Sequence, residues 1–472
     1  MTLTNHNIQI GWATADITPA GPASLFGQYY ERISTYVESP LTITVCAMES
    51  DQEQAIMVSM DLLCSTTALQ DALREIVAPL LPELDVKKLF LFATHTHSAP
   101  EPAEGTAYTQ MLLDKISIAV IEAWKARKPA GISHSLGYAV VGHNRRVQYA
   151  NGTTEMYGAT DRADFTGIEG ASDSSVDMLF CWDAEKQLTG IVLNVPCPSQ
   201  VTESKYYVSA DYWSEVRKQL KDRIAENIYL LPQCGAAGDI SPRDLPRGYR
   251  AGEPNMWDVP GMVEIGKRLA TAVEEKYQEA RQHICTTPVF KHRVVDLNIP
   301  LRTVSKKEYE AALETVNEIN SREPEDKSSP DTAWNRFLTE MKANEKIKDY
   351  GPWDNKNTDY GIIRKKEIAI KQYLEHQPGS FYKAELHIIR LGDIAIASNP
   401  FELFVDYGFA IKGRSKAPQT FVVQLSCDYA DYLPTERALA GGGYSAMATP
   451  VGHDGGAFLV DETINEINKL WE

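Results

Sequence analysis

The sequence runs to 472 residues, 43% hydrophobic and 24% charged, with a net charge of -17. That length exceeds one small core and suits one large domain or a few ordinary ones. The acidic balance, unrelieved by any basic block, argues against a nucleic-acid partner, and no apolar run is long enough to span a bilayer. Met1–Asn7 shows neither the basic nor the apolar segment of a secretion signal, which places a full-length chain in the cytoplasm; a trimmed secreted chain would read the same. The cysteines (Cys46, Cys64, Cys181, Cys197, Cys234, Cys285, Cys427) are odd in number, form no C-x-x-C and lie in apolar segments, as reduced buried thiols do. Nothing in the sequence sets the oligomeric state.

In chain order, residues 8–13 and 41–49 alternate as strands do, and 55–63 reads as a buried strand ending in an acid. A helical period covers 66–80, a strand 87–94 and a long amphipathic helix 106–127. Strands resume at 133–142, 176–183 and 188–195, followed by a helix at 211–226, a short strand from Tyr229, a helix at 259–281 and a strand at 288–299. Residues 303–376 are rich in Lys, Glu and Asn, with helical runs at 306–320, 331–346 and 363–376 broken at Ser321–Pro330 and Gly351–Pro352. They read as a helical insertion, either a solvated elaboration or a cover over a site. Strands at 383–390, 392–398 and 419–426 and helices from Pro400 to about 413 and at 461–471 complete the chain. The rhythm predicts an α/β fold with a largely buried mixed sheet flanked by helices.

Six stretches carry chemistry. The strand at 87–94 ends in His95-Thr96-His97; in extended chain these imidazoles share a face where a strand leaves its sheet, the place ligand groups occupy in α/β folds, although a polar strand end is the plainer reading. In Gln233–Arg243, Gly235–Gly238 allows a tight turn, and Ser241-Pro242 reads either as a helix cap or as a hydroxyl in a site. Cys197, between Pro196 and Pro198, is a rigidly held thiol, either a zinc ligand or a buried cysteine. Glu402, after Asn399-Pro400-Phe401, falls in the first turn of a helix, where the dipole favours a carboxylate. The loop Cys427–Thr435 with Gly441-Gly442-Gly443-Tyr444 is a polar, tyrosine-bearing wall or plain surface, and in His143-Asn144-Arg145-Arg146 a guanidinium at a strand end is a clamp or a surface charge.

Together, and in order, these stretches resemble the neutral (neutral/alkaline, non-lysosomal) ceramidases, zinc-dependent amidases that cleave an N-acyl bond. The family's Thr-His-Thr-His-Ser-Gly-Pro is similar to Thr94–Pro100, its Gly-Asp-Val-Ser-Pro to Gly238–Pro242, and its opening Gly-x-x-x-x-Asp-Ile-Thr to Gly11–Thr18. Asn-Arg-Ser-Pro resembles Asn144-Arg145-Arg146, Pro-Gly-Glu resembles Pro400-Phe401-Glu402, and Tyr-x-x-Tyr-x-Thr-Thr resembles Tyr429–Thr435. The likeness spans the chain as one ceramidase-like catalytic domain over 1–472, with 303–376 as its insertion, and implies a shorter relative without the family's C-terminal immunoglobulin-like domain. It implies His95, Glu402 and Tyr432 as zinc ligands, with His97, Arg145 and Tyr444 holding or polarising the scissile group. Ser241 becomes the catalytic serine, as nucleophile or orienting hydroxyl. Where the family has the histidine of a His-Pro pair this chain has Cys197-Pro198, and a thiolate, which zinc accepts, is expected as the fourth ligand. The expected activity is zinc-dependent hydrolysis of an N-acyl amide on a small-molecule or lipid-like substrate. The alternatives are a hydrolase of a soluble acylated amine, sugar or ester, and a non-catalytic binder with a degenerate metal site.

Overall fold

The computed structural model describes residues 7–28, 30–50, 53–248, 252–343 and 358–472. Most of the segment read for a secretion signal, the end of the 331–346 helical run and the break at Gly351–Pro352 lie outside the described residues.

The long apolar strands pair into an eight-stranded mixed sheet in the order Tyr229–Cys234, Leu188–Val195, Ser175–Asp183, Lys128–Tyr138, Gln9–Asp16, Thr42–Ser50, Glu53–Met60, Leu89–Ala93. A second sheet has four strands, Phe290–Pro300, Phe381–Leu391, Ile394–Ser398 and Gln419–Val423. Strands buried on both faces read as continuous apolar runs because helices cover one face and the other sheet the opposite one. The two sheets meet through Ile10, Phe90, Leu179, Ile389 and Phe421. Helices Thr67–Val77, Ala107–Lys125, Tyr212–Arg223 and Val259–Ala280 cover the outer face of the large sheet; Val405–Arg414 and Gly455–Lys469 cover that of the small one. The result is a four-layer α/β sandwich.

Within the two large sheets three strand pairs are parallel: Glu53–Met60 with Leu89–Ala93, Leu188–Val195 with Tyr229–Cys234, and Ile394–Ser398 with Gln419–Val423. A parallel pair needs a crossover. The helices Thr67–Val77, Tyr212–Arg223 and Val405–Arg414 supply these three. The first is capped by Thr66, whose side chain accepts from the Leu69 amide. The crossovers matter for function because the segments leaving the carboxyl ends of these strands carry His95, Gln200, Gly235–Asp239, Glu402 and Leu425–Tyr432.

Two local expectations fail. No helix follows Ser241-Pro242; Ile240–Ser241 is a short strand paired with His143–Asn144. Glu402 is not in a helix turn: Glu402–Leu403 is a strand parallel to Tyr432–Leu433, with Glu402 and Tyr432 in register, and the helix begins at Val405. Asn399 Oδ1 accepts from the Phe401 amide and holds Pro400 in a turn, so the dipole argument does not apply to Glu402.

Helices Lys306–Ser321, Ala333–Ala343 and Asp359–Glu375 interrupt two strands that are antiparallel neighbours, Phe290–Pro300 and Phe381–Leu391. They dock on the sandwich. Gln372 Nε2 donates to Thr449 O at 2.8 Å, His376 Nδ1 lies 2.9 Å from Arg302 O, and the Phe337 ring packs 6.0 Å from Tyr30. Six cysteines are buried as expected; Cys285 is exposed. No helix among the described residues is long and apolar enough to cross a membrane.

Candidate active site

A cavity of about 280 Å³ opens at the strand ends. Of the residues singled out in the sequence, His95, His97, Arg145, Glu402, Tyr432 and Tyr444 line it; Cys197 and Ser241 do not.

His95 follows the strand Leu89–Ala93 with φ +65°, a left-handed conformation that histidine tolerates better than most residues. Its Nδ1 lies 2.9 Å from the Leu63 carbonyl. A carbonyl only accepts, so Nδ1 carries the proton and Nε2 presents a lone pair. That Nε2 faces Glu402 Oε2 at 3.4 Å and His97 Nε2 at 3.3 Å, the rings standing edge to face. The backbone of His97 is held by Arg32, which donates to its carbonyl at 2.6 Å. Burial, reinforced by the neighbouring His95, Arg32 and Arg145, pushes the His97 pKa well below its usual value and keeps the ring neutral.

Glu402 is 3% exposed. Burial alone would raise its pKa, but positive charge on the His95 side, together with the Arg145 guanidinium, outweighs that and holds the carboxyl below its ordinary value. Tyr429 OH donates to Oε1 at 3.0 Å, which leaves Oε2 for His95. Arg145 is fully buried and well used: Nη1 donates to Tyr157 OH and Gln200 Oε1, both at 3.0 Å, and Nη2 to Gly238 O at 3.0 Å and Tyr432 OH at 3.4 Å. Its Nε–H is buried without a partner among the described residues. Tyr444 stands edge-on to Tyr432 at 5.5 Å; Gly442 and Gly443, at φ +75° and +88°, make the turn that brings it there.

Ser241 is buried one layer back. Its Oγ accepts from Tyr157 OH at 3.2 Å and from the Arg243 amide at 3.3 Å. Tyr157, which lines the cavity, also contacts Glu203 Oε1 at 3.2 Å, and Glu203 pairs with Arg243 at 2.5 Å. Asp239 serves the frame: its carboxylate accepts from Asn144 Nδ2 at 2.7 Å and from the Val405 amide at 2.8 Å, tying the strand Ile240–Ser241 to the start of the helix Val405–Arg414. Cys197 is 0% exposed, packs in the core with Cys234, and its Sγ lies 3.5 Å from the Pro198 carbonyl. Burial pushes its thiol well above the usual pKa. The residue that this loop sends into the cavity is Gln200. Sequence reading passed over Gln200, Tyr157 and Glu203. The two-residue interval that drew attention to His95 and His97 has no equivalent at these isolated positions.

The donor set can be tested against a divalent cation. Among the described residues, two trios of His, Cys, Asp and Glu bring donor atoms within 4.8 Å: Glu385, His387 and Cys427, and Glu436, His453 and Asp454. In the first, both Glu385 oxygens already bind Arg74, at 2.6 and 3.0 Å, and the second is exposed. The cavity offers instead one imidazole, one carboxylate and one phenol: His95, Glu402 and Tyr432. A bare ring nitrogen facing a carboxylate oxygen at 3.4 Å calls for a positive species between them. Two donors on a tetrahedral zinc with bonds of about 2.0–2.1 Å stand about 3.4 Å apart. His95 and Glu402 therefore suit zinc; Cys197 is not placed to join them.

No family model matches the sequence, and no curated protein does. Solved structures do. The fold is shared with a neutral ceramidase from Pseudomonas aeruginosa (TM-score 0.68, 16% identity, 98% of this chain and 74% of that one). It is equally shared with a ceramidase complexed with C2 (TM-score 0.68, 15% identity, 99% and 75%). The chain thus shares the α/β fold of these neutral ceramidases over about three quarters of their length.

Proposed function

We propose that this chain is a ceramidase-like, zinc-dependent hydrolase of an N-acyl amide, with the metal held by His95, Glu402 and Tyr432. The observation that carries the reading is the bare His95 Nε2 set 3.4 Å from Glu402 Oε2 in a cavity roofed by Arg145 and tyrosines. A bound zinc supplies Lewis-acid polarisation of the acyl oxygen and a water acidified towards neutrality. Arg145 has one buried N–H to spare, at Nε, and donates it to the oxygen that gains charge as water adds to the acyl carbon and the C–N bond breaks. Tyr157 and Tyr444 form the walls that orient the amide. Ser241, behind Tyr157, orients that phenol and is not the nucleophile. Cys197 is left out of the metal set.

The cavity favours the soluble reading of the substrate. At about 280 Å³ it sits at the small end of ligand pockets, which run from about 300 to 1,000 Å³. Its walls carry Gln28, Glu203, Arg364 and Asp431 as well as the catalytic set. We therefore place a compact acylated amine or amino sugar ahead of a long-chain N-acylsphingosine. The test is elemental analysis of the purified chain followed by a substrate panel of N-acylsphingosines, short N-acyl amines, N-acyl amino sugars and esters. About one zinc per chain with turnover of the short amides is expected. A metal-free protein that turns over nothing would establish the non-catalytic reading, and turnover confined to long-chain ceramides would overturn the compact substrate.

A further inference from the structure

We propose that Gln200 is a positioning residue that decides which nitrogen of His97 carries the proton. Its role in turnover rests on the hydrolase reading above; the protonation itself does not. Gln200 is 1% exposed and touches two partners with opposite demands. Arg145 Nη1 donates to its Oε1 at 3.0 Å, and its Nε2 lies 2.6 Å from His97 Nε2. A guanidinium cannot accept a hydrogen bond, so it pins the amide with oxygen towards Arg145 and NH₂ towards His97. An amide NH₂ only donates, so His97 Nε2 must accept and the ring proton goes to Nδ1.

On the far side of the ring Nδ1 is buried without a hydrogen-bond partner among the described residues. Nδ1 lies against Gly27, where an added Cβ would approach it to 2.4 Å and where φ is +106°. Only glycine leaves room for the His97 ring there. Leu63 does for His95 what Gln200 does for His97: both rings carry the proton on Nδ1, and their Nε2 atoms stand 3.3 Å apart, that of His97 taken up by Gln200 and that of His95 left bare. With the His97 lone pair engaged by Gln200, the N–H donor to the acyl oxygen is Arg145. Two imidazoles of the same kind, two residues apart, are thus set by partners from different strand ends.

The test reads the ring nitrogens directly. In the full chain labelled with 15N-histidine, solid-state NMR separates protonated from bare nitrogens, and His97→Gln assigns the His97 pair by its loss. The wild type should show His97 protonated at Nδ1. In Gln200→Glu the carboxylate can only accept, and the proton should move to Nε2. Gln200→Leu keeps the volume and removes the donor; His97 should then populate Nε2–H, and kcat should fall about tenfold with KM within about twofold, the scale of losing a group that orients a catalytic ring. A wild-type His97 protonated at Nε2, or a Gln200→Leu protein that keeps Nδ1–H and its kcat, would overturn the proposal. The nitrogen readout needs no substrate. If no acyl compound is hydrolysed, the hydrolase reading falls while the protonation result still decides the role of Gln200.

Discussion

At the scale of single residues the site is a set of donors whose directions are already decided. His95→Ala removes the one imidazole facing Glu402, and zinc content should drop below about a tenth of the wild-type level with loss of amidase activity, checked by elemental analysis and turnover. Cys197→Ser should do neither. The thiol touches the core and a carbonyl, so the variant should keep its metal and lose only about 1 kcal/mol of stability in denaturant titration. Arg145→Met should lower kcat by about 100-fold or more with a smaller change in KM, since under the proposed function Arg145 supplies the charge at the acyl oxygen, and it also props Gln200 and Tyr157. That His95, His97, Arg145, Glu402, Tyr432 and Tyr444 meet at one cavity was legible in the sequence because each stands in a short motif whose neighbours are distinctive. Cys197 misled because a Cys-Pro standing in for a His-Pro suggests a ligand, whereas the loop turns the thiol inward and sends out Gln200, three residues on. No residue spacing announces that turn.

At the scale of elements, long strands and helices declared themselves and short ones did not. The strand Leu188–Val195 and the helices Thr67–Val77 and Ala107–Lys125 have clear periods and capping residues at Thr66 and Thr106, so pattern and structure agree closely. The two-residue strands that carry Glu402, Tyr432 and Ser241 are too short to show a period; partners distant in the chain define them. The same holds for the insertion, whose helicity was plain but whose position was not. Helix Asp359–Glu375 brings Arg364 to the cavity wall, and Phe337, Trp334 and Tyr360 form its own small core against Tyr30. Phe337 is 1% exposed, so Phe337→Ala should cost about 3 kcal/mol locally and loosen the cover. The expected readout is a rise in turnover of bulkier amides relative to the shortest one, with the melting of the sandwich little changed.

At the scale of the whole molecule, the sandwich buries acids at its seams, and these set its response to pH. Burial pushes Asp211 and Asp239 each up to about 6, despite the amides that donate to them. A raised acid contributes stability that is present below the unfolded pKa of 3.8 and lost as pH rises through about 6. These two groups should therefore make the chain more stable at pH 5.5 than at pH 7.5, by an amount on the order of 1 kcal/mol. Asp239→Asn should flatten that slope in denaturant titrations at the two pH values. Acid loss at lower pH is a separate limb, set by carboxylates held low, such as Glu385 beside His387 and Arg74. The α/β class and the two-sided burial of the strands were readable from composition and rhythm. The stacking of two sheets was not, since an apolar run does not say what covers it.

That stacking gives the pairing of His95 with Glu402 a mechanical meaning. One follows the edge strand of the large sheet and the other the third strand of the small sheet, so the contact works as a suture across the sandwich. A cation bound there closes a loop through most of the chain and draws its binding energy from the docking of the two sheets. Occupancy and cohesion then become one quantity: metal at a hundred times its dissociation constant should add about 2.7 kcal/mol to global stability. Chelation should lower the melting temperature of both sheets together, and in His95→Ala, where the stitch is already cut, it should change nothing.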